Sequence, residues 1–316
     1  MDKDLTKKRC LSDNGRYADL INGIIFKGKR RISPEDLSEV DSQTGIWGNI
    51  LMYGKRRYKQ KYRDLIRKAA LGVNFVVIGI EDQEEVHYLM PLRSMAYDAA
   101  EYERQAELIR KKVRKEKGLS RAEWLSGFKK ESRIYPCITL VLFFGDTWDG
   151  SRDLHGILDF TDIPLELKEF INNYPIHLLE VRKLENTDVF KTDLKQIFDF
   201  IRYSKDKGKL RNLVTNNPLY KEMEEDAYDM VAGYANAEEL IGVKEFYRKD
   251  GKIDMCEALT ALIEEGREEG REEGIRAFIS LCESFGVARE NTLQKLKENF
   301  NISDEKAEEE VDKYWK

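Results

Sequence analysis

Two short apolar runs, residues 73–80 (VNFVVIGI) and 137–144 (CITLVLFF), constrain this 316-residue chain more than any other feature. Both are too short to cross a bilayer, which takes roughly 20 apolar residues. Bounded by Gly72 and acids in one case and by Pro136 and Gly145 in the other, each reads as a strand buried on both faces. Residues 90–118 between them (MPLRSMAYDAAEYERQAELIRKKVRKEKG) are dense in helix formers and end in a basic turn before Gly118, the signals of a long helix. Residues 17–26 (YADLINGIIF) have helical spacing and stop before Gly28 and Pro34, so one amphipathic helix precedes the strands. Downstream, residues 160–184 read as a short helix and then a strand near 176–181, and residues 191–203 return to helical spacing. Helices alternating with buried strands predict an α/β core with a mixed sheet.

The pattern changes near residue 216. The expected organisation is therefore a domain over 1–215 and a helical C-terminal region over 216–316. That region holds the repeat EEGREEGREEG at 264–274, with Gly266, Gly270 and Gly274 along one helix face. The repeat reads either as a solvated connecting helix or as a face on which another helix, including a second copy, can approach closely. Four cysteines (Cys10, Cys137, Cys256, Cys282) form no C-x-x-C pair, and His87, His155 and His177 lie far apart. Structural zinc and a disulfide framework are not expected. With no apolar segment behind the N-terminal charges, the reading is a soluble, reducing, cytoplasmic protein with no membrane partner.

Charge is informative only locally. Lys and Arg number 54 against 59 Asp and Glu, for a net of −5, so affinity for a polyanion has to come from clustering. The densest cluster is Lys55, Arg56, Arg57, Lys59, Lys61, Arg63, Arg67 and Lys68, interleaved with Tyr53, Tyr58 and Tyr62. It reads as a phosphate-contacting segment or as a charged, edge-protecting strand face. A second cluster at 110–117 ends the long helix and reads as a complement to the helix dipole or as a further phosphate contact. Within this setting, Asp64 precedes a tight reversal near Gly72, and Glu81 follows the returning strand. A hairpin of that length brings the two carboxylates to one sheet edge, with the Asp82 carbonyl as a third oxygen donor. That is a ligand set for a hard cation such as Mg²⁺ or Mn²⁺; the alternative is a pair of solvated strand-end acids.

These residues, with YADLINGIIF upstream and IYPCITLVLFFGDTWDG downstream, resemble the Rpn family of recombination-promoting nucleases and transposases in the PD-(D/E)XK superfamily. The resemblance covers roughly residues 16–203, and the glycine-spaced repeat is similar to one that many members carry. It implies a restriction-endonuclease-like core, a mixed β-sheet flanked by helices, followed by an all-α C-terminal region. It further implies Mg²⁺-dependent endonucleolytic cleavage of DNA, associated with recombination or transposition, with Asp64 and Glu81 as catalytic metal ligands. Asp19 of the first helix corresponds to an accessory acid, with Asn22 competing for that role. Gln83 stands where the superfamily usually has Lys; a neutral amide can hydrogen-bond a water but brings no positive charge to the reacting phosphate. Lys68 or Arg93 can supply a cation nearby.

The expectation is thus a DNA endonuclease needing no small-molecule cofactor, holding DNA through Arg56, Arg57, Lys59, Lys61, Arg63, Arg67, Lys68 and Arg93. The alternative is a catalytically inactive nuclease fold serving as a DNA-binding or protein-interaction module, associating through its C-terminal helices. His87 and His177 read as structural histidines in apolar surroundings. The loop Gly145–Asp146–Thr147–Trp148 either lines the cleft or packs its Trp on the core.

Overall fold

In the computed structural model, residues 3–39, 65–79 and 86–315 are described. Their order is α1 (Lys3–Ser12), α2 (Asn14–Ile24), β1 (Ser38–Glu39), β2 (Leu65–Ala70), β3 (Val73–Gly79), α3 (Met90–Val113), α4 (Arg121–Ser126), β4 (Cys137–Phe143), α5 (Leu165–Lys168) and β5 (His177–Glu180). There follow α6 (Leu194–Tyr203), α7 (Lys207–Asn216), α8 (Glu225–Tyr234), α9 (Glu238–Val243), the short hairpin β6 (Arg248–Lys249) and β7 (Lys252–Ile253), α10 (Met255–Ser284), α11 (Arg289–Phe300) and α12 (Asp304–Tyr314).

β1 to β5 form one sheet in sequence order, antiparallel from β1 to β3 and parallel from β3 to β5. The α/β class and mixed sheet expected from the alternation are therefore present. β2 and β3 are joined by a two-residue turn whose residues, Leu71 and Gly72, both have positive φ, 53° and 71°. Such a turn matches the right-handed twist of the flanking strands. β4 is buried along nearly its whole length because both faces of the sheet are covered, which is why its sequence is continuously apolar rather than alternating.

On one face, Phe75, Leu140, Leu142 and Phe144 meet Tyr17, Leu20 and Ile21 of α2, Ile197, Phe198 and Ile201 of α6, and Met230, Val231 and Tyr234 of α8. On the other, α3 covers the sheet, and Met90 packs with Val141, Phe143 and Trp148. The expected boundary at 215/216 runs through this first core: Tyr220, Met223, Ala227, Tyr228, Ile253, Met255 and Ala258 belong to it. The physical reason is that α8 is buried on every side from Ala227 to Tyr234, as a core helix is, despite following the change in pattern. A separate core appears only later, where Ile275 and Ile279 of α10 pack with Leu296, Ala307 and Val311 of α11 and α12. The glycine repeat lies in the α10 span between the two cores, exposed from Glu264 to Glu273. A Cβ at Gly266 or Gly270 would meet nothing within 4 Å, whereas one at Gly274 would touch Phe300. Among the described residues no helix is long and apolar enough to cross a membrane.

Candidate active site

The hairpin register decides what the fold can bring together. Leu65 pairs with Ile78, and Ile78 in turn with Val141 of β4. The beginning of β2 therefore lies beside the carboxyl ends of β3 and β4, and Phe143 pairs with Glu180 at the carboxyl end of β5. α3 starts at the same end, since its first residue, Met90, packs on Val141 and Phe143. Ligands of open α/β sheets bind at the carboxyl ends of strands, and here three strand ends, one strand start and one helix start converge.

Asp64, Glu81, Asp82 and Gln83 lie outside the described residues, as do Arg56, Arg57, Lys59, Lys61 and Arg63. In the sequence Asp64 immediately precedes Leu65, and Glu81 is two residues beyond Gly79. Two carboxylates and a carbonyl are hard oxygen donors that suit Mg²⁺ or Mn²⁺. Among the described residues, no group of three or more His, Cys, Asp or Glu forms a metal-ligand set. Arg67 and Lys68 fall in β2 opposite Val76 and Phe75.

Arg93, in the first turn of α3, is half-buried and donates through Nε to the Tyr97 hydroxyl at 2.8 Å. It is the one expected cation whose side chain is described at this end of the sheet. Among the described residues no side chain caps the start of α3, so the positive end of this 24-residue helix lies at this end of the sheet. Around the rim, Glu180 accepts hydrogen bonds from the Trp148 amide at 3.2 Å and from Arg152, and Lys183 lies 2.8 Å away. Burial would raise its pKa, but Lys183, the Trp148 amide and Arg152 outweigh that and hold the carboxyl below its usual range. A hydrogen bond from Lys205 likewise lowers Asp146. The loop after β4 packs its Trp on the core: Trp148 is buried and meets Phe143 edge-on at 5.3 Å between ring centres.

Asp19 and Asn22 are both buried in α2. Asp19 Oδ2 accepts from the Lys191 amide, the Thr192 amide and the Thr192 hydroxyl, each at 2.7 Å. Asn22 Nδ2 donates to the Ile32 carbonyl at 2.7 Å, and its Oδ1 accepts the amides of Arg31 and Ile32, each at 3.0 Å. These bonds tie α2 to the chain before α6 and to the chain before β1. His177 proves exposed at the start of β5, not enclosed as the apolar neighbours implied, because it sits at the strand's end.

The sequence reading missed a buried polar seam between α3 and the sheet. Ser94, Asp98, Glu101 and Gln105 follow helical spacing and are all buried. Asp98 accepts hydrogen bonds from the Thr139 and Tyr174 hydroxyls. Glu101 holds Arg104 through two bonds, 2.9 and 2.7 Å, and takes the Asn74 amide at 2.9 Å. Leu92 and Leu108 of the same helix are exposed. A polar stripe beside leucines normally marks the solvent face; only the matching donors on the sheet, Asn74 and Thr139, reverse that inference.

A scan against models of protein families, a search of curated proteins and a search of solved structures each returned no match to this chain.

Proposed function

We propose that this chain is a divalent-metal-dependent DNA endonuclease of the Rpn type, with a restriction-endonuclease-like core and with Asp64 and Glu81 as its metal-holding carboxylates. The observation that supports this reading is the Leu65–Ile78 register, because the start of β2, next in sequence to Asp64, and the end of β3, two residues before Glu81, lie at one end of the sheet. The start of α3, with Arg93, is at that end too.

Asp64, Glu81 and the Asp82 carbonyl would hold Mg²⁺ or Mn²⁺, which when bound would supply Lewis-acid polarisation of a phosphate oxygen and a lowered pKa for a bound water. Gln83 contributes an amide that orients the water by hydrogen bonding without supplying charge. Arg56, Arg57, Lys59, Lys61 and Arg63, together with Arg67 and Lys68, hold the sugar-phosphate backbone and position it without reading bases. Arg93 offers a guanidinium for charge developing on the phosphate, the part that Lys plays elsewhere in the superfamily. Association of copies through the C-terminal helices belongs to the same reading.

Supercoiled plasmid incubated with purified protein in Mg²⁺ or Mn²⁺, against an EDTA control, tests it. Wild type converts plasmid to nicked circles, and Asp64→Ala and Glu81→Ala each lose at least about 100-fold in rate, on the order of the loss when a charge-stabilising group is removed. Nicking undiminished in Asp64→Ala, or absent from wild type, rejects the enzyme reading in favour of a nuclease fold that only binds.

A further inference from the structure

The turn from α3 into α4 carries a charge imbalance out of proportion to any structural need. Residues 110–133 contain ten Lys and Arg against three Glu, a net of +7 in a chain whose total is −5. The acids are mostly engaged where cations fix the fold. Arg110 reaches back to Glu103 at 2.5 Å and Glu107 at 3.4 Å, and Glu116 pairs with Lys129. Glu123 caps α4 by accepting the Ser120 amide at 2.9 Å. Lys111, Lys112, Arg114, Lys115, Lys117, Arg121, Lys130 and Arg133 remain exposed, and none of them forms an ion pair among the described residues. One or two cations suffice to complement a helix dipole; these continue some twenty residues past the helix end.

The segment is a built element. Gly127 ends α4 in the left-handed conformation at φ 65°, and a Cβ there would lie 2.9 Å from Arg110 Cγ, so α4 is folded back tightly on the end of α3. It presents Trp124, 72% exposed, and Leu125, 79% exposed, and Tyr135 beyond it is 60% exposed. Open aromatic faces among unpaired cations suit a single nucleic-acid strand, whose bases stack on the rings while the phosphates meet the cations. An interfacial membrane helix needs a long apolar face, whereas α4 has six residues.

We propose that the α3–α4 turn is a second nucleic-acid contact, binding single strands through Trp124 and the cations from Lys111 to Arg133. It stands apart from the candidate active site. α3 spans 24 residues, about 36 Å at 1.5 Å per residue, and starts at the site end of the sheet. The Leu71–Gly72 turn at the opposite end of the β2–β3 hairpin lies beside Tyr135, where a Cβ at Gly72 would be 3.8 Å from the ring, and the Tyr135 amide donates to Gln105, eight residues before α3 ends.

The test is fluorescence anisotropy with a labelled oligothymidylate of about 30 nucleotides and a duplex of equal length, between about 50 and 200 mM salt. Using full-length protein with matched melting curves, the triple variant Arg114→Glu, Lys115→Glu, Lys117→Glu should bind at least about tenfold more weakly and show a shallower salt dependence. Trp124→Ala should lose about fivefold on the single strand and little on the duplex. Binding is read in EDTA, so it needs no metal at the candidate active site, and the plasmid-nicking outcome for Asp64→Ala bears on the nuclease reading alone. Unchanged affinity in both surface variants overturns it. So does a surface that takes up anionic phosphatidylserine vesicles through Trp124 while oligonucleotide binding stays at the wild-type level in the variants.

Discussion

Arg16 of α2 and Asp193, 177 residues later in the chain, form a two-pronged pair in which Nε and Nη2 each donate to one carboxylate oxygen at 2.7 Å. The third nitrogen, Nη1, donates to Asp226 at 2.5 Å and to the Cys10 carbonyl at 3.2 Å. One buried guanidinium thereby joins α1, α2, the start of α6 and the start of α8. Burial disfavours its charge, but the bonds to Asp193 and Asp226 outweigh burial and raise its pKa further, so it stays charged throughout the accessible pH range.

Arg16→Ala should cost about 3 kcal/mol, the usual loss when one partner of a buried ion pair is removed, read from urea denaturation. Arg16→Lys keeps the charge but loses the planar fork, so about half of that loss is expected. A Lys variant as stable as wild type would show that geometry contributes nothing beyond charge.

The Glu101–Arg104 pair inside the α3 seam is enclosed more completely, with side-chain exposures of 0% and 8%. Glu101→Ala strands both the guanidinium and the Asn74 amide, and about 3–5 kcal/mol of destabilisation is expected. Replacing both partners by Met should recover at least half of that, because apolar pairs of similar volume substitute well for buried ion pairs. Equal losses in the single and double variants, measured by chemical denaturation, would refute this account.

Leu71 holds a positive φ of 53° in the β2–β3 turn and is 64% exposed. Non-glycine residues are strained there, and Asn tolerates that conformation best. Leu71→Asn should raise stability by about 0.5–1 kcal/mol, seen as a higher melting temperature. Gly72→Ala, at φ 71°, should move stability the other way.

Glu225 is lowered from its ordinary value of 4.5 first by its hydrogen bond from Lys244 and then by Arg248. A carboxyl with a depressed folded pKa contributes stability above its unfolded value, and that contribution disappears as pH falls through the folded value. Glu225→Gln should therefore melt slightly below wild type at pH 6–7, and the gap should close as the pH drops below 4.5. The group is 38% exposed, so solvent screening keeps the effect small. A gap that widens on acidification would contradict the assignment.

Local patterns carried much of the architecture. The continuous apolar runs became β3 and β4 because both faces of the sheet are covered, and the helix signals around residues 17–26 and 90–118 became α2 and α3. The sequence by itself also offers Asp64 and Glu81 as a candidate hard-oxygen pair through residue type and hairpin spacing, and both lie outside the described residues. What only tertiary structure decided depends on long-range partners. α8 lies in the N-terminal core because Arg16 reaches Asp226 and its apolar residues find α6, a pairing that no local window contains. The polar stripe of α3 turned inward because Asn74 and Thr139, on strands far away in sequence, present donors to it. Burial of a polar group costs free energy unless a partner meets it, and partners across a fold are invisible to periodicity.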